Sequence, residues 1–332
     1  MFMKKVICLV LVFLILTSGI GTAFASTGST AGNVSISYRF ASKQEGTDLL
    51  LGNTAYYAGF SQNDLDYRMH RQGAAMEEYL AFAKEQVLDF TEEEKELIAS
   101  HLAILTDGLE QNGCVLPPLD EIVFIQTTMK EENGVLGYTH GTQIYVAQNL
   151  LQLDMTEKKN EEYLLIFLAH ELFHCLTRCN PDFREAMYQI IHFTVVEEDF
   201  PLPRSVFEYH ISNPDVEHHN AYASFLIDGE PVDCFTDFVT TKHIEKADEH
   251  FFDFAMTALV PTDGRDLYYT PDQTSNFDEV FGTNTDYVVD PEECLADNFA
   301  YALVYGLDGP EGKGYPNPEI IDEILSYLKT AA

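Results

Sequence analysis

An α+β fold is the class this sequence predicts, and three observations carry the expectation. Two short β-branched and aromatic runs sit mid-chain, Ile122-Val123-Phe124-Ile125 and Gln143-Ile144-Tyr145-Val146. A capped helical pattern precedes them and a longer apolar helical pattern follows. Helix, strand, strand, helix in that order reads as a sheet layer backed by helices.

Residues 26–60 open with Ser26-Thr27-Gly28-Ser29-Thr30 and show no clear period, so they read as an N-terminal extension leading into mixed structure. From Leu65 the spacing turns helical, through Met76, Tyr79, Leu80 and Phe82. Thr91-Glu92-Glu93-Glu94 is a capping box, in which the Thr and the third Glu each satisfy an orphan amide at a helix start. The helix it opens runs through Leu97, Ile98, Leu102 and Leu105, and Gly113 with Pro117-Pro118 ends it. Asn133-Gly134 marks a turn between the two strands. A helix over 160–178 stops at Asn180-Pro181, because a residue before proline is pushed out of the α region. Further helices are expected over 183–191, 291–305 and 318–328. Between 200 and 290 the prolines Pro201, Pro203, Pro214 and Pro231 imply many turns, with a helical patch over 234–244. No linker divides the chain, so residues 61–332 read as one domain.

The first 25 residues read as an address. Lys4-Lys5, an apolar run over 6–16 and Ala23-Phe24-Ala25 form a secretory signal peptide, with cleavage expected after Ala25 and a secreted, extracellular product. A retained anchor over 6–25 is the alternative, weakened by Ser18, Gly19, Gly21 and Thr22. The formal charge is −35, and loss of the leader removes two lysines and no acids, leaving −37. Such a field repels nucleic acid and anionic membranes, so neither nucleic acid nor stable membrane association after cleavage is expected. A halophilic surface is the other reading of the same charge. Five cysteines follow the leader, an odd number with no C-x-x-C spacing. Cys175 and Cys179 lie one turn apart and read as small apolar residues, with pairing left open.

The chemistry is concentrated in His170-Glu171-Leu172-Phe173-His174. Histidines four apart on a helix project from one face and can reach one Zn²⁺, with N–Zn distances near ~2 Å. Glu171 lies beside them, placed to take a proton from water activated by the metal. Leu164, Leu165, Ile166, Phe167, Leu168 and Leu176 make the helix apolar on nearly all sides. Three polar residues on a core helix need a partner, and a metal is one.

A catalytic zinc takes a third protein ligand and keeps one position open. A histidine six residues after His174 would fit the metzincin pattern, but Asn180 stands there and Thr177 fills the glycine slot. Glu293-Cys294-Leu295-Ala296-Asp297 offers a glutamate followed one turn on by an aspartate. His170-Glu171-x-x-His174 with that distant pair resembles the gluzincin group of zincin metallopeptidases, a resemblance confined to the two site helices.

The resemblance implies a zincin-like fold, with a twisted mixed sheet over the active-site helix and a mainly helical C-terminal part. It implies one zinc ion held by His170, His174 and Glu293, with Asp297 orienting a ligand histidine and Glu171 as general base. It implies a catalytic domain over 61–332 acting on peptide or protein substrates. An edge strand near 137–146 would bind extended peptide by strand addition. A Tyr or His would stabilise the oxyanion, and Tyr287, Tyr301, His218 and His219 are the candidates.

Rival readings stand beside these. Asp290-Pro291-Glu292-Glu293 is itself a good helix start, and capping alone explains Glu293. Asp297 lies beyond the first turn among apolar neighbours, where pairing is the simpler account. Glu292 faces about 100° away from Glu293. Gly282-Thr283-Asn284-Thr285-Asp286 resembles the third-ligand motif of the aspzincins, without its tyrosine-glycine continuation, and makes Asp286 an alternative ligand. His218-His219 reads as part of a solvated polar loop or as a second metal site. His140, His192, His210, His243 and His250 stand alone and read as structural. Two other functions remain open: a zinc hydrolase on a non-peptide substrate, and an exported, non-catalytic zincin-fold binding module. An intact Glu171 speaks against the second.

Overall fold

A computed structural model describes residues 35–330, so the signal-peptide and anchor readings lie outside the described residues. The N-terminal part runs β1 (Tyr38–Phe40), α1 (Lys43–Gly52), α2 (Thr54–Ala58), α3 (Gln62–Arg68), α4 (Met76–Ala83), β2 (Val87–Leu88) and α5 (Glu92–Gln111). The sheet core follows as β3 (Ile122–Thr127), β4 (Gly137–His140) and β5 (Gln143–Ala147), then α6 (Gln148–Leu151), α7 (Lys158–Cys179) and α8 (Pro181–Ile190). Next come β6 (Thr194–Val195), α9 (Arg204–Phe207), β7 (Ala221–Ile227), β8 (Glu230–Thr240) and β9 (Ala255–Pro261). The chain closes with α10 (Phe277–Phe281), α11 (Pro291–Tyr305) and α12 (Pro318–Thr330). The class is α+β.

Two sheets organise these elements. The first has the order β1-β3-β5-β4, with β2 beside β1 on the same side of β3. It is mixed, because β1, β3 and β5 run parallel while β2 and β4 run against them. The second, β6-β7-β8-β9, is antiparallel. β3 is buried along its whole length, as its unbroken Ile-Val-Phe-Ile run requires of a strand covered on both faces.

β4 is the edge strand of the first sheet, and its approach to α7 depends on Gly137. A Cβ there would lie 2.8 Å from Tyr145 O and would also overlap the Phe167 ring of α7. Only glycine lets strand and helix close to that separation.

Thr91 caps α5 as expected, with its hydroxyl taking the Glu94 amide and Glu94 returning to the Thr91 amide. Two expectations are corrected. The stretch 26–60 is no mere extension, because from Tyr38 it supplies β1, α1 and α2, and Ala41, Leu50 and Tyr57 enter the main core. A three-residue strand is too short to announce itself by period. The helical patch over 234–244 is instead β8 as far as Thr240, paired on both sides. Phe235 and Val239 face one core cluster while Cys234 faces another, a two-residue alternation suited to β-branched and aromatic side chains.

α7 and α11 pack together through the core, with the Phe173 and Phe299 rings 5.4 Å apart. Cys114, Cys175, Cys179, Cys234 and Cys294 are all free thiols, and all but Cys179 are buried. Among the described residues no helix is long and apolar enough to cross a membrane.

A candidate metal centre

α7 carries His170, Glu171 and His174 on one face, and α11 brings Glu293 against them. His170 Nε2 lies 3.0 Å from Glu293 Oε2, and His174 Nε2 lies 3.6 Å from the same oxygen. These three residues form a group whose ligand atoms all lie within 4.8 Å of one another and could hold a metal ion. The outer atoms of the three are already committed. His170 Nδ1 donates to Asp297 Oδ1 at 2.9 Å, and His174 Nδ1 donates to Glu292 Oε1 at 3.1 Å. Asn213 Nδ2 donates to Glu293 Oε1 at 2.6 Å. Each ring is thereby fixed with its Nε2 toward the common point, as a metal-ligating histidine requires.

Asp290 caps α11 by accepting the Glu292 amide, so Glu293 is not used for capping and turns inward, 1% exposed. Its neighbour Glu292 does not approach the common point either. That carboxylate orients His174 and is itself held by Thr177 Oγ1 and by Tyr188 Oη at 2.7 Å. Sequence reasoning set Glu292 aside as a ligand and missed this role. The signal available was a second carboxylate in the same helical turn as Glu293.

The electrostatics fit a cation. Burial opposes charge on the imidazoles, yet Asp297 and Glu293 hold His170 well above its ordinary range. Burial is likewise outweighed at His174, which Asp215, Glu292 and Glu293 raise to about 10. Burial alone would raise Glu293, but the hydrogen bond from His170 and the nearby His174 imidazole hold it well below the usual carboxylate range. Without an ion, protons on the imidazoles answer the carboxylates. His174 Nε2 and Glu171 Oε2 are buried with no hydrogen-bond partner in the protein, as donors toward a bound cation and its water would be. Metal binding here would exchange those protons for a divalent cation.

Glu171 is 4% exposed, and burial, then the Asp215 carboxylate, push it up to about 8. Asp215 is a second finding that sequence reasoning missed. Glu171, His174 and Asp215 form another group with ligand atoms within 4.8 Å of one another. The loop that supplies Asn213 and Asp215 was read as solvated, but Asp215 is 8% exposed. Its Oδ1 accepts from the Thr139 amide at 2.7 Å and from Thr139 Oγ1, and Arg178 donates to Pro214 O and Asp215 O. A loop held from α7 and β4 is buried by partners far away in sequence.

A cavity of about 350 Å³ opens onto the centre. Leu136, Ile166 and Phe167 line one part of its wall, and Phe238, Phe251 and Phe252 another. Tyr287 and Tyr301 both line it, and the Tyr287 ring stacks on His170 with centroids 6.2 Å apart. His218 and His219 are not brought there. They face a different cavity, where His218 meets Asp199 and His219 meets Asp237. This corrects their candidacy as oxyanion donors, because the 211–214 segment borders both cavities and His218 and His219 line only the other one. Asp286 sits exposed on the wall and joins neither candidate metal group. From its motif it is Thr285 that reaches the centre, donating to Asp297 Oδ2.

Replacing Asp297 by Ala frees His170 Nδ1 and should lower divalent-metal affinity by ~10–100-fold. Glu292→Gln should do the same through His174. Competition with a chromophoric chelator reads both effects, and unchanged affinity in both variants would show that ring orientation is set elsewhere. Compared with known proteins, the chain matches no family model, no curated protein and no solved structure.

Proposed function

We propose that this protein is a secreted zinc metallopeptidase of zincin type, hydrolysing peptide bonds with Glu171 as general base. The observation that carries the reading is the convergence of His170 Nε2, His174 Nε2 and Glu293 Oε2 beside a buried, unpartnered Glu171 oxygen. Two imidazoles and one carboxylate, with a fourth position left open toward a cavity, are the donor set of a catalytic zinc. The mixed sheet with edge strand β4 beside α7 supports the zincin reading of the fold.

Zinc held by His170, His174 and Glu293 would acidify a water and polarise a carbonyl. Asp297 and Glu292 keep the imidazoles in the tautomer that leaves Nε2 free. Asn213, bonded to Glu293 Oε1, leaves Oε2 as the binding oxygen. Glu171 receives the proton of the attacking water and returns it to the departing amine; its burial keeps its proton affinity high enough to do both. Tyr287, beside His170, is the side chain best placed to donate to the developing oxyanion. The apolar wall excludes water and accepts substrate side chains.

The test is metal content with turnover. Wild type should retain one zinc per chain and cleave members of a peptide library. Glu293→Ala should lose zinc affinity by ~10²-fold or more, since ligand binding energy is shared among few donors. Asp286→Ala should keep it. Zinc retained in Glu293→Ala and lost in Asp286→Ala would replace the ligand set. Zinc bound without cleavage of any peptide would favour the binding-module reading.

A further inference from the structure

The cleft is open on one side of the centre and closed on the other. Ala147 N–H donates to Leu136 O, so residues 136, 138 and 140 turn toward β5. Gly137, Thr139 and Gly141 therefore turn their amides to the free edge. Gly137 lines the cavity. Beyond it the edge is already taken: Thr139 N–H donates to Asp215 and Gly141 N–H to Glu217 Oε1 at 3.0 Å. Arg178 pins this covering segment through Pro214 O at 3.1 Å, Asp215 O at 3.0 Å and Glu217 Oε1 at 2.9 Å. A peptide laid along β4 can extend only toward residues 135–137, and on the other side of the scissile bond it must end.

What meets that end is anionic. An oxygen of Asp215 lies within 4.8 Å of a Glu171 oxygen and of a His174 nitrogen. Both hydrogen bonds accepted by Asp215 from Thr139 fall on Oδ1, and Glu171 Oε2 has no partner. Glu132, Asp286 and Asp297 add further carboxylates to the wall. Its one guanidinium, Arg68, is bound to Asp64 and Glu132. A peptide carboxylate at the closed end would face these carboxylates, whereas an ammonium would give Glu171 Oε2 a partner and would reinforce Arg178, which stands 3.9 Å from Asp215 Oδ1.

We propose that the site takes peptides by a free amino terminus, with the α-ammonium seated against Asp215 beside Glu171 and the first peptide bond at the metal centre. This rests on the metallopeptidase reading. The first C–N bond breaks, water supplies OH to the carbonyl carbon and H to the new amine, and the products are one amino acid and a peptide shorter by one residue.

The experiment uses the full-length zinc-loaded protein and a tripeptide library, each member with a free and with an acetylated amino terminus. Stepwise loss of the first residue is expected by mass spectrometry. Acetylation should lower kcat/KM by ~10²-fold or more, the scale of losing one partner of a buried charge pair. Asp215→Asn should narrow that gap. Calorimetry on Glu171→Gln, which keeps Asp215, should still show tighter binding of free than of acetylated peptides, by a smaller factor, so the proposal is decided even if turnover fails. Tight binding of free over acetylated peptides without hydrolysis would sink the peptidase reading and leave this one standing. Equal handling of both forms overturns it, and so does cleavage of acetylated peptides beside an internal Lys or Arg, which would trace the cation to a side chain.

Discussion

Glu171→Gln should retain stoichiometric zinc and lose hydrolysis by ~10²–10⁴-fold, the usual contribution of a positioned general base. The substitution keeps the size of a side chain that is 4% exposed and removes only its ability to hold a proton. Glu171 makes no contact on which the ligand geometry depends; the rings are oriented by Asp297 and Glu292 and the carboxylate by Asn213. Metal content should therefore be unchanged while turnover falls. Activity persisting near the wild-type rate would remove Glu171 from the mechanism, and Asp215 would become the next carboxylate to test. Zinc lost together with activity would show that Glu171 shapes the site.

The second large effect is expected at the wall of the same cavity, at a residue that is not a candidate ligand. Arg68 of α3 is fully buried, and its guanidinium meets Asp64, Glu132 at 2.7 Å, Tyr56 Oη at 2.8 Å and Ser212 O at 2.8 Å. Arg68→Met keeps the bulk but leaves two carboxylates buried without their cation. Stability should fall by about 3–5 kcal/mol, the cost of breaking a buried pair from one side. Arg68→Lys should not restore it, since an ammonium cannot reproduce a planar fork serving four partners. Urea unfolding of the three proteins reads this directly, and a loss under 1 kcal/mol for Arg68→Met would mean that the carboxylates find other partners. The variant should also loosen the loop of Asn213 and Asp215, because Arg68 and Asp64 hold Ser212 at its root.

Much of the candidate site was legible because its code is local. Histidines four apart, and a glutamate one turn before an aspartate, declare a shared helix face without knowledge of the fold. The Thr91 capping box and the β-branched core strand are local in the same way. What escaped was set by distant partners. Asn213-Pro214-Asp215 has the composition of a solvated turn, and only Arg178, Thr139 and Glu293 make it part of the centre. β8 was misread because its aromatic and β-branched residues serve two cores at once, so neither face looked purely apolar. His218 and His219 drew attention as an adjacent pair, yet adjacency says nothing of which cavity a loop will border.

The pairing of α7 with α11 has a consequence for when the centre can exist. Its two histidines are synthesised more than a hundred residues before Glu293 and Asp297, and Asn213 lies between. A growing chain that has emerged only as far as α10 holds an incomplete ligand set and no partner for His170 Nδ1. Completion waits for docking of α11 into the core, a contact of high sequence separation that forms late on entropic grounds. The three candidate ligands thus cannot close on one ion until α11 has been made and has docked.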